Sequence, residues 1–161
     1  MPSGQYPLIV AGQDFTASLI QSFAPWEAWK TSATSRTTTT QSVDPDLQLT
    51  LVPNATYRVT ADIIFTGSGG LSFGWTVPSG ASGGYTVTMV LAGTGMAVLG
   101  YQWTTTAEAG VTGSSVSGLR LGGTLVTSTA GGTFGFNWAD FTASDTMTVG
   151  VGSALSARRI A

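Results

Sequence analysis

From Thr31 onward, apolar and polar residues alternate with a period of two, in short segments separated by glycine, proline and asparagine. The clearest is "ATYRVTADIIFTG". Tyr57, Val59, Ala61, Ile63 and Phe65 fall on one face of a strand, and Arg58, Thr60, Asp62, Ile64 and Thr66 on the other. The same test marks candidate strands at Thr34 to Gln41, Leu47 to Val52, Thr56 to Thr66, Leu71 to Val77, Gly84 to Leu91, Met96 to Thr105, Ser115 to Thr127, Thr133 to Ala139 and Thr146 to Arg159. This pattern predicts an all-β chain, an antiparallel jelly-roll sandwich of about eight or nine strands, preceded by a short N-terminal helix.

The helix rests on a change of period. In "GQDFTASLIQSFAPWEAW", Phe15, Leu19, Ile20 and Phe23 recur at helical spacing, Asp14 or Thr16 can cap the first amides, and Pro25 closes the run. A stripe of about two turns is too short to hold its shape alone in water, so it needs a surface to dock on. The expected division is residues 1–30 as an attachment segment and 31–161 as the sandwich. Phe15, Leu19, Ile20, Phe23, Trp26 and Trp29 are the candidate assembly-docking residues; packing on their own domain is the plainer alternative.

An aromatic residue stands two positions before tryptophan three times: Phe73 and Trp75, Tyr101 and Trp103, Phe136 and Trp138. Two residues along a strand is one face, so each pair places both rings together, and three such strands predict one aromatic core. The opposite faces read Gly74 and Thr76, Gln102 and Thr104, Asn137 and Ala139, small or neutral throughout. Water-facing sheets usually carry Lys and Glu there, so these faces are expected to lie against copies of the chain, as in a homotrimer.

Composition narrows the chemistry. Only 9% of the 161 residues are charged, against about a quarter in ordinary domains, which leaves Gly, Ser and Thr to cover the exterior. With 6 basic and 8 acidic residues no stripe is available to neutralise phosphates, so neither nucleic acid nor an anionic membrane surface is an expected partner. No apolar run reaches the roughly 18 residues of a spanning helix. The first residues lack the basic and apolar regions of a signal peptide, so the protein is expected to be made and kept in the cytoplasm, or to leave by cell lysis.

The chain has neither histidine nor cysteine. A Ser-His-Asp triad and the usual zinc ligands are therefore out of reach, and no enzyme activity, cofactor or metal is expected. Paired carboxylates are the remaining catalytic option. Asp44 and Asp46 in "SVDPDLQ", and Asp140 and Asp145 around "DFTAS", are read instead as solvated turn residues, with a weak calcium site at Asp44 and Asp46 as the sharper alternative. Trp26, Trp29 and Tyr85 are the candidate stacking platforms for a surface glycan. The glycine clusters near Ser68, Gly83 and Ala130 join strands and open no helix, so they are hairpin turns and not phosphate cradles.

The phrases "YPLIVAGQDFTASLIQSFAPWEAWK", "TSRTTTTQSVDPDLQLTLVPNATYRVTADIIF", "FGWTVPSGA", "LRLGGTLVTSTAGGTFGFNWAD" and "VGSALSARRIA" resemble, in their order, small structural proteins of actinobacterial tailed bacteriophages and prophages. The resemblance spans nearly the whole chain and contains no catalytic motif. It implies a jelly-roll or tumour-necrosis-factor-like sandwich, trimeric, attached to a virion through its N-terminal segment. The expected role is a minor tail or tail-tip protein with other virion proteins as partners. Capsid decoration and a carbohydrate-binding receptor-recognition module are the alternatives.

Overall fold

The computed structural model describes residues 24–161 apart from 69, 92–94, 104–106, 110–116 and 144, together with residues 12, 14 and 16. The predicted helix, with Phe15, Leu19, Ile20 and Phe23, lies outside the described residues. In chain order the strands are β1 (Trp26–Trp29), β2 (Thr34–Arg36), β3 (Ser42–Leu51), β4 (Thr56–Gly67), β5 (Leu71–Thr76), β6 (Ser82–Leu91), β7 (Gly95–Gln102), β8 (Ala107–Ala109), β9 (Ser117–Val126), β10 (Gly132–Asp140), β11 (Met147–Val149) and β12 (Ala154–Arg159).

They form two antiparallel sheets. The larger runs β1-β12-β4-β9-β6-β7, with β11 paired to β4 and β2 to β11; the smaller runs β3-β10-β5-β8. Five of the pairings are nested within one another along the chain: β6 with β7, β5 with β8, β4 with β9, β3 with β10 and β1 with β12. A long folded ribbon with nested pairs, rolled so that its rungs fall alternately in two sheets, is the jelly roll predicted from the alternation. The β6–β7 hairpin is the innermost rung of that roll. It pairs through β6 with the outer side of β9 and so widens the larger sheet by two strands.

Alternation explains which faces meet. Along β4, Tyr57, Val59, Ala61, Ile63 and Phe65 are buried while Arg58, Thr60, Asp62 and Ile64 face solvent. Val87, Met89, Leu119, Leu121, Leu125 and Leu155 add to the same inner face, and Leu71, Phe73, Trp75, Phe134, Phe136 and Trp138 oppose it from the smaller sheet. Turns close the strands with the backbone each requires. Gly80, at a φ of +70, completes the turn in which the Ala81 amide bonds the Pro78 carbonyl at 3.0 Å, a conformation that glycine adopts without a Cβ penalty. Gly123 serves close approach: a Cβ there would stand 2.7 Å from Tyr85 Cα on the neighbouring strand.

Five segments depart from the sequence reading, the first being β8, Ala107–Ala109, which pairs with β5 where no strand is expected. Trp26–Trp29 is an edge strand paired along β12, so the sandwich begins before residue 31. Residues 42–46 belong to β3 and are not a turn ahead of a strand. The strand expected to run from Thr34 to Gln41 ends at Arg36. The last predicted strand is two, β11 and β12, separated by the turn at Gly150–Ser153, where Gly152 has a φ of +87.

Candidate functional site

The predicted aromatic residues converge. Trp75 stacks on Phe134 with centroids 5.1 Å apart and meets Trp103 edge-on at 5.4 Å and Phe136 at 5.3 Å. Phe73 stacks on Phe136 at 6.1 Å. Phe73, Trp75, Trp103, Phe136 and Trp138 are all buried, whereas Tyr101 is half-buried at the overhanging hairpin. Tyr85 joins this cluster at 4.6 Å from Trp103 and is buried, so it is not an accessible platform for a sugar. Among the described residues neither its hydroxyl nor the Trp75 indole N–H has a partner at ordinary hydrogen-bond geometry, although the two groups lie near enough to interact. Burial, with a smaller contribution from Tyr101, pushes the Tyr85 hydroxyl up to about 12. Trp103 instead donates its indole N–H to the Thr124 carbonyl at 2.7 Å, beside Gly83.

A second cluster is built on charge. Asp44 was read as a solvated turn residue, yet its side chain is 0% exposed and lies against the ammonium of Lys30, also buried. Lys30 Nζ donates to Asp44 Oδ1 at 2.9 Å, Asp44 Oδ2 at 3.0 Å, Asp46 Oδ2 at 3.0 Å and Thr34 Oγ1 at 2.9 Å. Asp44 also accepts from the Trp138 indole at 2.9 Å and from the Asp46 amide at 3.0 Å. Burial pushes the Asp44 carboxyl up, but these hydrogen bonds and the Lys30 charge outweigh it and hold the group below its ordinary value.

The backbone explains why Asp-Pro-Asp is strand here. Between Gly135 and Asn137 of β10 the pairing with β3 shifts, from Gln48 to Val43. The extra residues of β3, Pro45 among them, form a bulge, where a residue without an N–H is tolerated. Arg36 braces the same corner from β2. Its guanidinium lies 4.1 Å from the Trp138 ring centroid and donates to the carbonyls of Ser42, Val43 and Trp138.

For the calcium reading this geometry is decisive: the space between Asp44 and Asp46 is filled by the Lys30 ammonium. Among the described residues no three His, Cys, Asp or Glu side chains are grouped to hold a metal. Asp140 likewise departs from the solvated reading. It is buried at the end of β10, with Oδ1 accepting the Thr142 amide at 3.1 Å.

The outer face of the larger sheet extends across six strands in order. The register places Glu27, Ser156, Thr60, Gly122, Thr86 and Gly100 in one row across six strands, and Trp29, Ala154, Asp62, Arg120, Thr88 and Val98 in the next. Charges gather over its first four strands, where Arg120 pairs with Asp62 at 3.0 Å in the open. A shallow trough of about 260 Å³ runs beside that pair, over Ile64 and Gly118. A wider depression of about 510 Å³ is floored by Gly84, Gly100 and Gly122 and edged by Thr86, Gln102 and Thr124. Of the two N-terminal tryptophans, Trp26 packs on Tyr57 at 5.4 Å while Trp29 is 60% exposed.

On the smaller sheet the outward positions are small and neutral as expected, but its own loops already crowd them. Gly74 and Ala139 are buried, Gln41 bonds Ser72, and Thr76 bonds Asn137 at 2.9 Å.

No family model and no curated protein matches this chain. Among solved structures it is similar, at 11% identity over 83% of its length, to a chain of the structure of infectious bursal disease virus, Gx strain, of which it spans 38%, with a TM-score of 0.28. A chain of the Gt strain structure is likewise similar at 11% identity, over 86% of this chain and 38% of that one, with a TM-score of 0.20.

Proposed function

We propose that this chain is a non-catalytic structural protein of a bacteriophage virion, a minor tail or tail-tip protein acting as a homotrimer with its sandwich displayed on the particle surface. The observation that carries the reading is the closed Lys30 centre. Both oxygens of Asp44 and the whole ammonium of Lys30 are engaged by the fold itself, so the buried charge serves architecture. What remains outward is a wide, shallow, hydroxyl- and glycine-rich sheet, a shape suited to contact with other proteins. The nested strand order agrees with the jelly roll that the phage resemblance implies.

The test is native mass together with particle content. A homotrimer weighs three times the 16.5 kDa chain, and antiserum against the chain should label purified particles at the tail. A monomeric mass at every concentration, or particles without the chain, would overturn the reading; labelling over the whole head would replace it with capsid decoration. Attachment through the N-terminus is tested by removing residues 1–23 only, because Trp26–Trp29 and Lys30 belong to the sandwich.

Trp29 favours a second reading, glycan recognition, because its ring is exposed beside the turn that also exposes Val151. Binding of host envelope polysaccharide that Trp29→Ala abolishes would support it, and no binding by the unaltered protein would remove it.

A further inference from the structure

We propose that the free edge of β7 is a strand-pairing surface for a second copy of this chain, antiparallel and centred on Leu99. Among the described residues β7 is the outermost strand of the larger sheet and pairs on one side only, with β6. Edges of this kind are normally blunted by charge, proline or a bulge. Gly95–Gln102 contains no charged residue and no proline, and its register with β6 is unbroken over eight residues.

The backbone shows which groups are free. The Trp103 amide reaches the Gly83 carbonyl at 3.4 Å, and the Tyr101 carbonyl points at Gly84, so odd-numbered residues of β7 address β6. By alternation the amides and carbonyls of Met96, Val98, Gly100 and Gln102 point away from it, towards the edge. Antiparallel pairing centred on Leu99 sets Met96 opposite Gln102 of the copy and Val98 opposite Gly100, satisfying all four residues on each strand with about eight main-chain hydrogen bonds.

Side chains select the same occupant and the same register. Val98 is 66% exposed on the outer face, and a Cβ built on Gly100 would meet nothing within 4 Å. In this register each Val98 therefore stands over the other copy's Gly100. Leu99 lies on the inward face of β7, opposite Val87, yet is 38% exposed; the twofold brings the two Leu99 side chains together. Charge points the same way. Neither β6 nor β7 carries an ionisable Lys, Arg, Asp or Glu, so an acidic or basic partner finds no counter-charge, while a copy approaches without repulsion. This twofold contact is independent of the proposed trimer and would link one trimer to the next.

Absence of native cysteine allows a direct test. Opposed residues of a non-hydrogen-bonded antiparallel pair lie about 4.5 Å apart at Cα, within disulfide reach. Leu99→Cys should form a disulfide-linked dimer on mild oxidation several times faster than Val126→Cys, whose position is equally exposed at 38%. Adding Gly100→Val, which fills the hollow, should abolish that cross-link. Equal rates for the two cysteine variants would overturn the proposal, and a cross-link indifferent to Gly100→Val would overturn its register. Should Leu99→Cys fail to fold, Val98→Lys is read instead by sedimentation: it should remove the twofold association, and an unchanged association refutes the contact. In either case a threefold mass that persists leaves the trimer reading standing, and its loss alone counts against that reading.

Discussion

Replacing Asp44 by Asn keeps the shape of the side chain and removes what the Lys30 centre depends on. In the native protein Oδ1 accepts from Lys30 and the Asp46 amide, and Oδ2 accepts from Lys30 and the Trp138 indole. An amide nitrogen at either position turns a donor towards donors, and the Lys30 ammonium keeps the one remaining amide oxygen, Thr34 and the partly exposed Asp46 as acceptors, with Asp46 alone supplying negative charge. Removing one member of a buried ion pair costs about 3 to 5 kcal/mol, mostly because the remaining charge stays buried without its partner. Urea unfolding followed by tryptophan fluorescence should show a loss of that size for Asp44→Asn, and Lys30→Met should recover part of it when combined. A loss under about 1 kcal/mol would refute the assignment. Acid gives a second readout. The Asp44 carboxyl is held below its ordinary value by the fold, so the unfolded chain binds the proton more readily. The stabilisation is present above the unfolded value of about 3.9 and disappears as pH falls through the folded one. Asp44→Asn should therefore flatten the acid limb of the stability curve.

Two further outcomes follow from packing. Trp75→Ala should cost about 3 to 5 kcal/mol in the same assay, as large aromatic deletions from a core do, because Trp75 contacts Phe134, Phe136, Trp103 and Tyr85; a near-neutral result would place it at the surface. Gly122→Ala and Gly123→Ala are adjacent yet should differ. A Cβ on Gly122 meets nothing, whereas one on Gly123 stands 2.5 Å from the Gly84 carbonyl oxygen, so the first should be neutral and the second should lose about 1 to 3 kcal/mol.

What the sequence made legible is what period two can express. β4 reads correctly residue by residue because its inner residues are large and apolar and its outer ones polar. β1 escaped because a four-residue edge strand alternates between half-buried and exposed, too short a signal to separate from the helical pattern before it. Asp44 escaped for a tertiary reason. Asp before Pro is a turn signal locally, and its partner lies fourteen residues upstream; the chain's lone lysine, directly after β1, is the available clue. Tyr85 stands in the sequence as a candidate exposed platform, although its alternation with Val87 and Met89 places it inward.

The Lys30 centre also bears on how the chain finds its alignment. Its groups come from the end of β1, from β2, from β3 and from β10, which lie more than a hundred residues apart in sequence. Until these segments have come together, both charges remain in water, where they are comfortable. A one-residue slip of β3 against β10 would turn Asp44 to the opposite face and leave a cation facing an apolar interior. Misaligned sandwiches are thereby penalised at one atom, Lys30 Nζ, in a chain whose many glycine- and threonine-rich strands would otherwise tolerate sliding. The buried charge acts as an alignment pin for the roll.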